Sequence, residues 1–186
     1  MKRINETIVI CASGPSLTHA DCVKANSSGA KVITVNSSWE ILPDCDYIFA
    51  ADYRWWETNI DTLPEPPQRW SNNLKASRMY HLEYCPVRAG GTFNSGQLAI
   101  HFATWLGAKN ILLLGFDCSV RDGIHWHGKH ASLANPGHVQ TERWKKEFRN
   151  TAGQFRGSHH IINCSARTEL DCFTVMNLDD ALALYT

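Results

Sequence analysis

Residues 95–117 read SGQLAIHFATWLGAKNILLLGFD, and the two halves of the stretch differ in kind. From 95 to 108, Leu98, Ile100, Phe102 and Leu106 leave no broad polar face, as in a helix buried nearly all round. Gly107 stops it. From 109 to 117, the run Ile111 to Leu114 ends in Gly115-Phe116-Asp117. A short apolar run closed by turn residues reads as a strand covered on both faces. A buried helix that feeds a buried strand is the building unit of an α/β fold.

The same alternation extends outward. Upstream, TIVICA (7–12), KVITVN (31–36) and CDYIFAAD (45–52) read as strands, and SRMYHLEYC (77–85) as a fourth. Downstream, HHIINCS (159–165) reads as another. Helical patterns lie between them at 16–29 and 142–155, and an Asn-capped closing helix is expected at 177–184. The expected fold is α/β: a single Rossmann-like three-layer domain over 1–186, with a mostly parallel sheet and helices on both faces. Two stretches stand apart. The Pro-rich DTLPEPPQRWSNN (61–73) reads as a structureless surface excursion. The His-rich segment at about 118–138 reads as a flap over a site.

Charge is balanced, with 18 basic and 18 acidic residues, which argues against a global attraction to nucleic acid or anionic membrane. No apolar run reaches the length of a bilayer span, and no signal-peptide core opens the chain. The seven cysteines form no CxxC pair, and several sit in apolar runs. Reduced, mostly buried thiols in a cytoplasmic protein are expected (the host cytoplasm if the chain is phage-encoded). A homo-oligomer is compatible with these data.

In open parallel sheets, ligands bind beyond the C-terminal strand ends. After the first strand come Ser13, Gly14, Pro15 and Ser16, where amides and hydroxyls can receive an anion. A tight turn with Ser16 or Thr18 as helix cap explains the same residues. Asn36 after the second strand can meet a base or ribose, or form a local turn bond. After the third, Asp52, Arg54, Trp55 and Trp56 suit an aromatic platform with a charged clamp; packing under a loop is the plain alternative. Asn94, Ser95 and Gly96 open the buried helix toward the same crevice. Asp117 can contact a base, a sugar hydroxyl or a cation.

Then comes HWHGKH (125–130), whose His125, His127 and His130 with Lys129 form a titratable, cationic cluster. It suits a general base with phosphate-binding partners. With Asp117 or Cys118 it also suits a divalent metal site. No GxGxxG spacing is present, and Asn36 stands where a dinucleotide site needs an acidic ribose ligand, which argues against a nicotinamide enzyme.

GPSL after the first strand, VNSSW after the second, and SG…LGAKNILLLGFD in order resemble the bacterial lipooligosaccharide sialyltransferase family. They also resemble related GPSL-motif phage and archaeal proteins, among them the archaeal 6-hydroxymethylpterin diphosphokinase group. The resemblance implies a nucleotide-linked sugar across the strand edge. Ser13 then replaces an Asn that touches the nucleotide, and Gly14 matches the loop glycine. Asn36 matches a second nucleotide-binding Asn, Ser95 and Gly96 a phosphate-side Ser-Gly, and Gly115 and Asp117 a GxD strand end. His138 falls near the family's catalytic histidine, in competition with His125, His127 and His130. Two family tyrosines that stabilise the leaving phosphate are missing after Asp117, and Thr92 replaces an arginine. Arg121, Lys129 and the histidines can supply that positive charge.

The leading expectation is thus a phage-type glycosyltransferase-like enzyme that uses a nucleotide-sugar donor and requires no cofactor. Its base would lie near Asn36 and Asp117, and a histidine would deprotonate the acceptor hydroxyl. The alternatives are a metal-dependent diphosphokinase or nucleotide hydrolase, and a non-catalytic protein that sequesters a nucleotide.

Overall fold

A computed structural model describes residues 6–90, 94–119 and 138–186, with only the backbone of His138. Its centre is one sheet of eight strands among the described residues, ordered β5-β4-β3-β2-β1-β6-β7-β8. The strands are β1 (Thr7–Cys11), β2 (Lys31–Val35), β3 (Tyr47–Phe49), β4 (Gln68–Ser71), β5 (Glu83–Tyr84), β6 (Asn110–Leu114), β7 (His160–Asn163) and β8 (Thr174–Val175). Every pairing is parallel. The chain runs outward from β1 to β5, then returns to lay β6 against the free side of β1, with Val9 opposite Leu112. That reversal is the topological switch point of the sheet.

Period-two alternation along the strands separates two apolar cores. Ile8, Ile10, Ile111 and Leu113 face one side with Leu98 and Phe102 of α4 (Ser95–Trp105) and Phe148 and Phe155 of α5 (His138–Phe155). Val9, Cys11, Leu112 and Leu114 face the other side, toward α1 (His19–Ser27), α2 (Tyr53–Asn59), α3 (Leu74–Tyr80) and α6 (Leu178–Tyr185). The architecture is therefore the expected Rossmann-like α/β arrangement. All seven cysteines are free thiols, and five of them are buried. No described helix is long and apolar enough to cross a membrane.

Helix α4 carries much of one core. Phe102 is fully buried, stacked on Phe49 with ring centroids 5.2 Å apart and tilted against Trp70 at the same distance. The helix ends in a Schellman motif, with Ala108 N–H donating to Ala103 O (3.1 Å) and Gly107 N–H to Thr104 O (3.0 Å). Gly107 takes φ +98°, which a side chain would resist.

Two expectations fail at the β5 edge. The strand expected over 77–85 begins in the last residues of helix α3, capped by Asn73 and closed by His81 at φ +54°; only Glu83–Tyr84 is strand. The stretch 61–73 is also not structureless, because Gln68–Ser71 pairs with β3. Toward this edge the strands are partly exposed and carry polar residues, as Gln68 and Arg69 of β4 do, so the apolar pattern that marks a central strand is weak there. The two-residue strand β8 is likewise absent from the sequence reading.

Phe102→Ala should lower unfolding free energy by about 3–5 kcal/mol in a denaturant titration, because it removes an aromatic ring from a close-packed core.

Candidate functional site

A cleft opens beyond the C-terminal ends of β1, β2 and β6, at the switch point. It is lined by Ser13 and Gly14 after β1, Asn36 after β2, Asn94 to Gly96 at the start of α4, Gly115 to Ser119 after β6, and Trp144 of α5. These residues are scattered over the sequence, and the parallel sheet brings them to one rim.

The loop after β1 is built differently from the expected anion cradle. Gly14 N–H donates to Gly115 O (2.8 Å), and Leu17 N–H donates to Gly14 O (3.0 Å). Ser16 donates twice to Asp117, from N–H to Oδ2 (2.9 Å) and from Oγ–H to Oδ1 (2.5 Å). Those donors are already bonded within the protein. Pro15 and Ser16 do not line the cleft, and Thr18 rather than Ser16 caps α1. Gly14 is required by packing: a Cβ there would sit 2.3 Å from both Asp117 Oδ1 and Gly115 O. Gly115 has φ +70°, and its own Cβ would meet Ala12 O at 2.6 Å.

Asp117 is correspondingly 4% exposed. Burial pushes its carboxyl above the usual carboxylate range, and the two hydrogen bonds from Ser16 oppose that shift. Both of its oxygens hold the β1 loop to the end of β6. Asp117 also lines the cleft, so the bracing role stands beside the expected contact with a base, sugar or cation. No group of three potential metal-binding side chains occurs among the described residues.

The opposite rim offers unmatched polar groups. Asn94 caps α4 by accepting from Gln97 N–H (2.7 Å) through Oδ1. Its Nδ2 is buried without a partner. The first N–H groups of the helix, Ser95 and Gly96, have no intrahelical acceptor. Ser95 Oγ accepts from Ala51 N–H (3.3 Å), so its own hydrogen is available to a ligand. Asn36, at φ +51°, has a buried Oδ1 with no partner. A helix N-terminus with an amide donor beside it favours an anion.

The third wall is α5. Thr141, Trp144 and Phe148 occupy one stripe at i, i+3 and i+7 and line the cleft. Cys118 Sγ lies 3.7 Å from Thr141 O, while Lys145 pairs with Glu142 and Glu169. Glu169 N–H donates to Asp117 O (2.8 Å), and its carboxylate also accepts from Ser119 Oγ (2.8 Å). The Asp117 strand end thereby joins the β1 loop to α5. Trp144 falls in the helical pattern expected at 142–155 but was not singled out as a wall of the cleft, because periodicity does not separate core from cleft.

Of the two readings of the segment after β3, packing is the one found, and no platform from it lines this site. Trp55 and Trp56 are buried in the core on the far face, with their indole N–H groups bonded to Ser37 Oγ (3.3 Å) and Ala50 O (2.9 Å). Asp52 caps α2 by accepting from Arg54 N–H (2.9 Å), and neither Asp52 nor Arg54 lines the cleft. His125, His127, His130, Lys129, Arg121 and Thr92 lie outside the described residues, as does most of the expected flap. His138 opens α5.

Asp117→Ala should cost about 1–3 kcal/mol in denaturant unfolding, since it strands two buried donors of Ser16. Asp117→Asn can keep both contacts, with Oδ1 accepting from Ser16 N–H and Nδ2 donating to Ser16 Oγ, and should cost less. A raised carboxyl pKa means that the folded state holds the proton more tightly than the unfolded chain. This contribution to stability therefore falls as pH rises through the folded pKa, and Asp117→Asn should remove that slope.

No family model matches the chain, and no curated protein matches it. The sialyltransferase resemblance therefore rests on its short motifs alone. Among solved structures, the chain is similar to the MAf glycosyltransferase from Magnetospirillum magneticum AMB-1, with a TM-score of 0.66 and 14% identity. The match covers 95% of this chain and 34% of that one, so the chain spans about a third of that protein's length. At this identity the likeness is one of fold: a Rossmann-like α/β domain.

Proposed function

We propose that the cleft binds a nucleotide-linked sugar and that the protein acts as a glycosyltransferase-like enzyme. The observation that carries this reading is the set of unmatched donors at the start of α4, facing a cleft at the switch point of the sheet. The glycosyltransferase-type fold supports it. In this reading Asn94 Nδ2, Ser95 and the Gly96 N–H hold the phosphates, and Ser13 and Asn36 contact the nucleoside from the β1–β2 side. As bond cleavage places negative charge on the departing phosphate, these fixed donors stabilise it without reorganisation. A histidine, His125, His127, His130 or His138, takes the proton from the acceptor hydroxyl. Lys129 adds positive charge to the leaving group.

A panel of nucleotides and nucleotide-sugars in thermal unfolding tests the binding step. A true ligand at a hundred times its dissociation constant adds about 2.7 kcal/mol. No stabilisation by any nucleotide would remove this reading. Ligand recovered intact after long incubation with a range of acceptors would leave a sequestering protein in its place. His127→Ala and His138→Ala should differ sharply in turnover while nucleotide binding survives; full turnover in both would overturn the histidine mechanism.

Asn94→Asp separates capping from binding. Aspartate caps a helix as well as asparagine does, so the melting temperature should hold. The amide donor becomes a carboxylate, so nucleotide affinity should fall by about tenfold or more by calorimetry. Unchanged affinity would place the phosphates elsewhere.

A further inference from the structure

The polar donors account for only part of the cleft lining; the rest is carbon. Ala12, Val35, Phe116, Trp144 and Phe148 line it. Phe116 and Phe148 are each 4% exposed, so their rings are taken up by the core. Trp144 differs: it packs against the same core yet keeps part of its surface open. Among the described aromatic residues of the cleft, it is the one with area left for a ligand.

Its setting is rigid. Thr141 precedes it by one turn and its carbonyl lies at Cys118 Sγ, and Phe148 follows it by one turn in the core. The neighbouring Lys145 is fastened to Glu142 and Glu169. An indole held on a braced helix presents a flat apolar surface at low entropic cost on binding.

We infer that Trp144 is the stacking surface for the nucleobase, so that the ligand lies across the cleft with its phosphates at α4 and its base against α5. This inference rests on the nucleotide reading above and adds to it an orientation and a specificity element. Stacking accepts any base, since each has a π-face; selection among bases then falls to polar atoms on the rim, with Asn36 Oδ1 the unmatched acceptor there.

The test measures, by calorimetry on the full chain, binding of CMP, UMP, AMP, glucose 1-phosphate and inorganic pyrophosphate to wild type, Trp144→Leu and Trp144→Phe. Leucine keeps apolar bulk against the core but has no ring face, and phenylalanine keeps a ring. Trp144→Leu should weaken the nucleotides that wild type binds by about tenfold, with Trp144→Phe in between. Pyrophosphate and glucose 1-phosphate, which have no base, should bind all three proteins alike. The fluorescence quench on nucleotide binding should also be smaller in Trp144→Phe than in wild type.

Equal nucleotide affinity in wild type and Trp144→Leu would overturn the stacking role and leave the nucleotide reading standing. A parallel loss of pyrophosphate would overturn it as well, by showing a general disturbance of the cleft. Selective loss of glucose 1-phosphate would assign the wall to the sugar instead. Failure of wild type to bind any nucleotide would remove both readings together. Far-ultraviolet circular dichroism and melting temperature confirm that each variant is folded before its affinity is read.

Discussion

The bond between Ser16 and Asp117 joins parts of the chain that lie 101 residues apart. Strands β1 and β6 are neighbours in the sheet, yet the loops that leave them run to opposite faces. At such a point the strand ends diverge and leave a crevice. The carboxylate of Asp117 spans it at the back, taking both donors of Ser16, while Gly14 and Gly115 allow the two backbones to approach within hydrogen-bond distance. The motif that first suggests a phosphate loop is thus chiefly a clasp. Its rigidity fixes one rim of the cleft, so the polar groups on the other rim face a surface of constant shape.

From that clasp the order of the site spreads through ordinary contacts. Asp117 O receives Glu169 N–H, the Glu169 carboxylate receives Lys145 and Ser119, and Lys145 belongs to α5. Lys145 has little exposure, with 11% of its side chain open, so this ion pair is partly desolvated and loses little to salt screening. Such a pair adds modestly to net stability, because desolvation offsets much of the attraction. It contributes geometry: the helix that carries Trp144 cannot slide without breaking it.

Much of the fold could be read directly. Ile111 to Leu114 and Ile8 to Cys11 are apolar because helices cover both faces of an interior parallel strand, and Asn177 caps the closing helix as its sequence suggests. Legibility falls toward the β5 edge. Gln68 and Arg69 belong to a strand through backbone pairing with β3, which side-chain pattern does not report. The site divides in the same way. Asn94, Ser95, Gly96 and Asn36 were legible because they follow strands or open a helix. Asp117 and Ser16 were identified as residues of the site, but their bond to each other was invisible, since pairing across the sheet is a tertiary fact. Trp55 and Trp56 left two readings open, platform or packing, because two adjacent rings after a strand fit either until α2 folds them under.

The position of β6 also bears on how the molecule comes to be. Each strand from β2 to β5 pairs with its predecessor, so that half of the sheet can grow by contacts between segments close in the chain. The pairing of Thr7 with Asn110 and of Cys11 with Leu114 must instead close a loop of about a hundred residues. High contact order makes such a step slow. During synthesis, β1 therefore waits with one edge unpaired until β6 has been made, and an unpaired apolar edge is prone to association. The cleft needs both halves of the sheet, and no chain that ends before β6 can contain it.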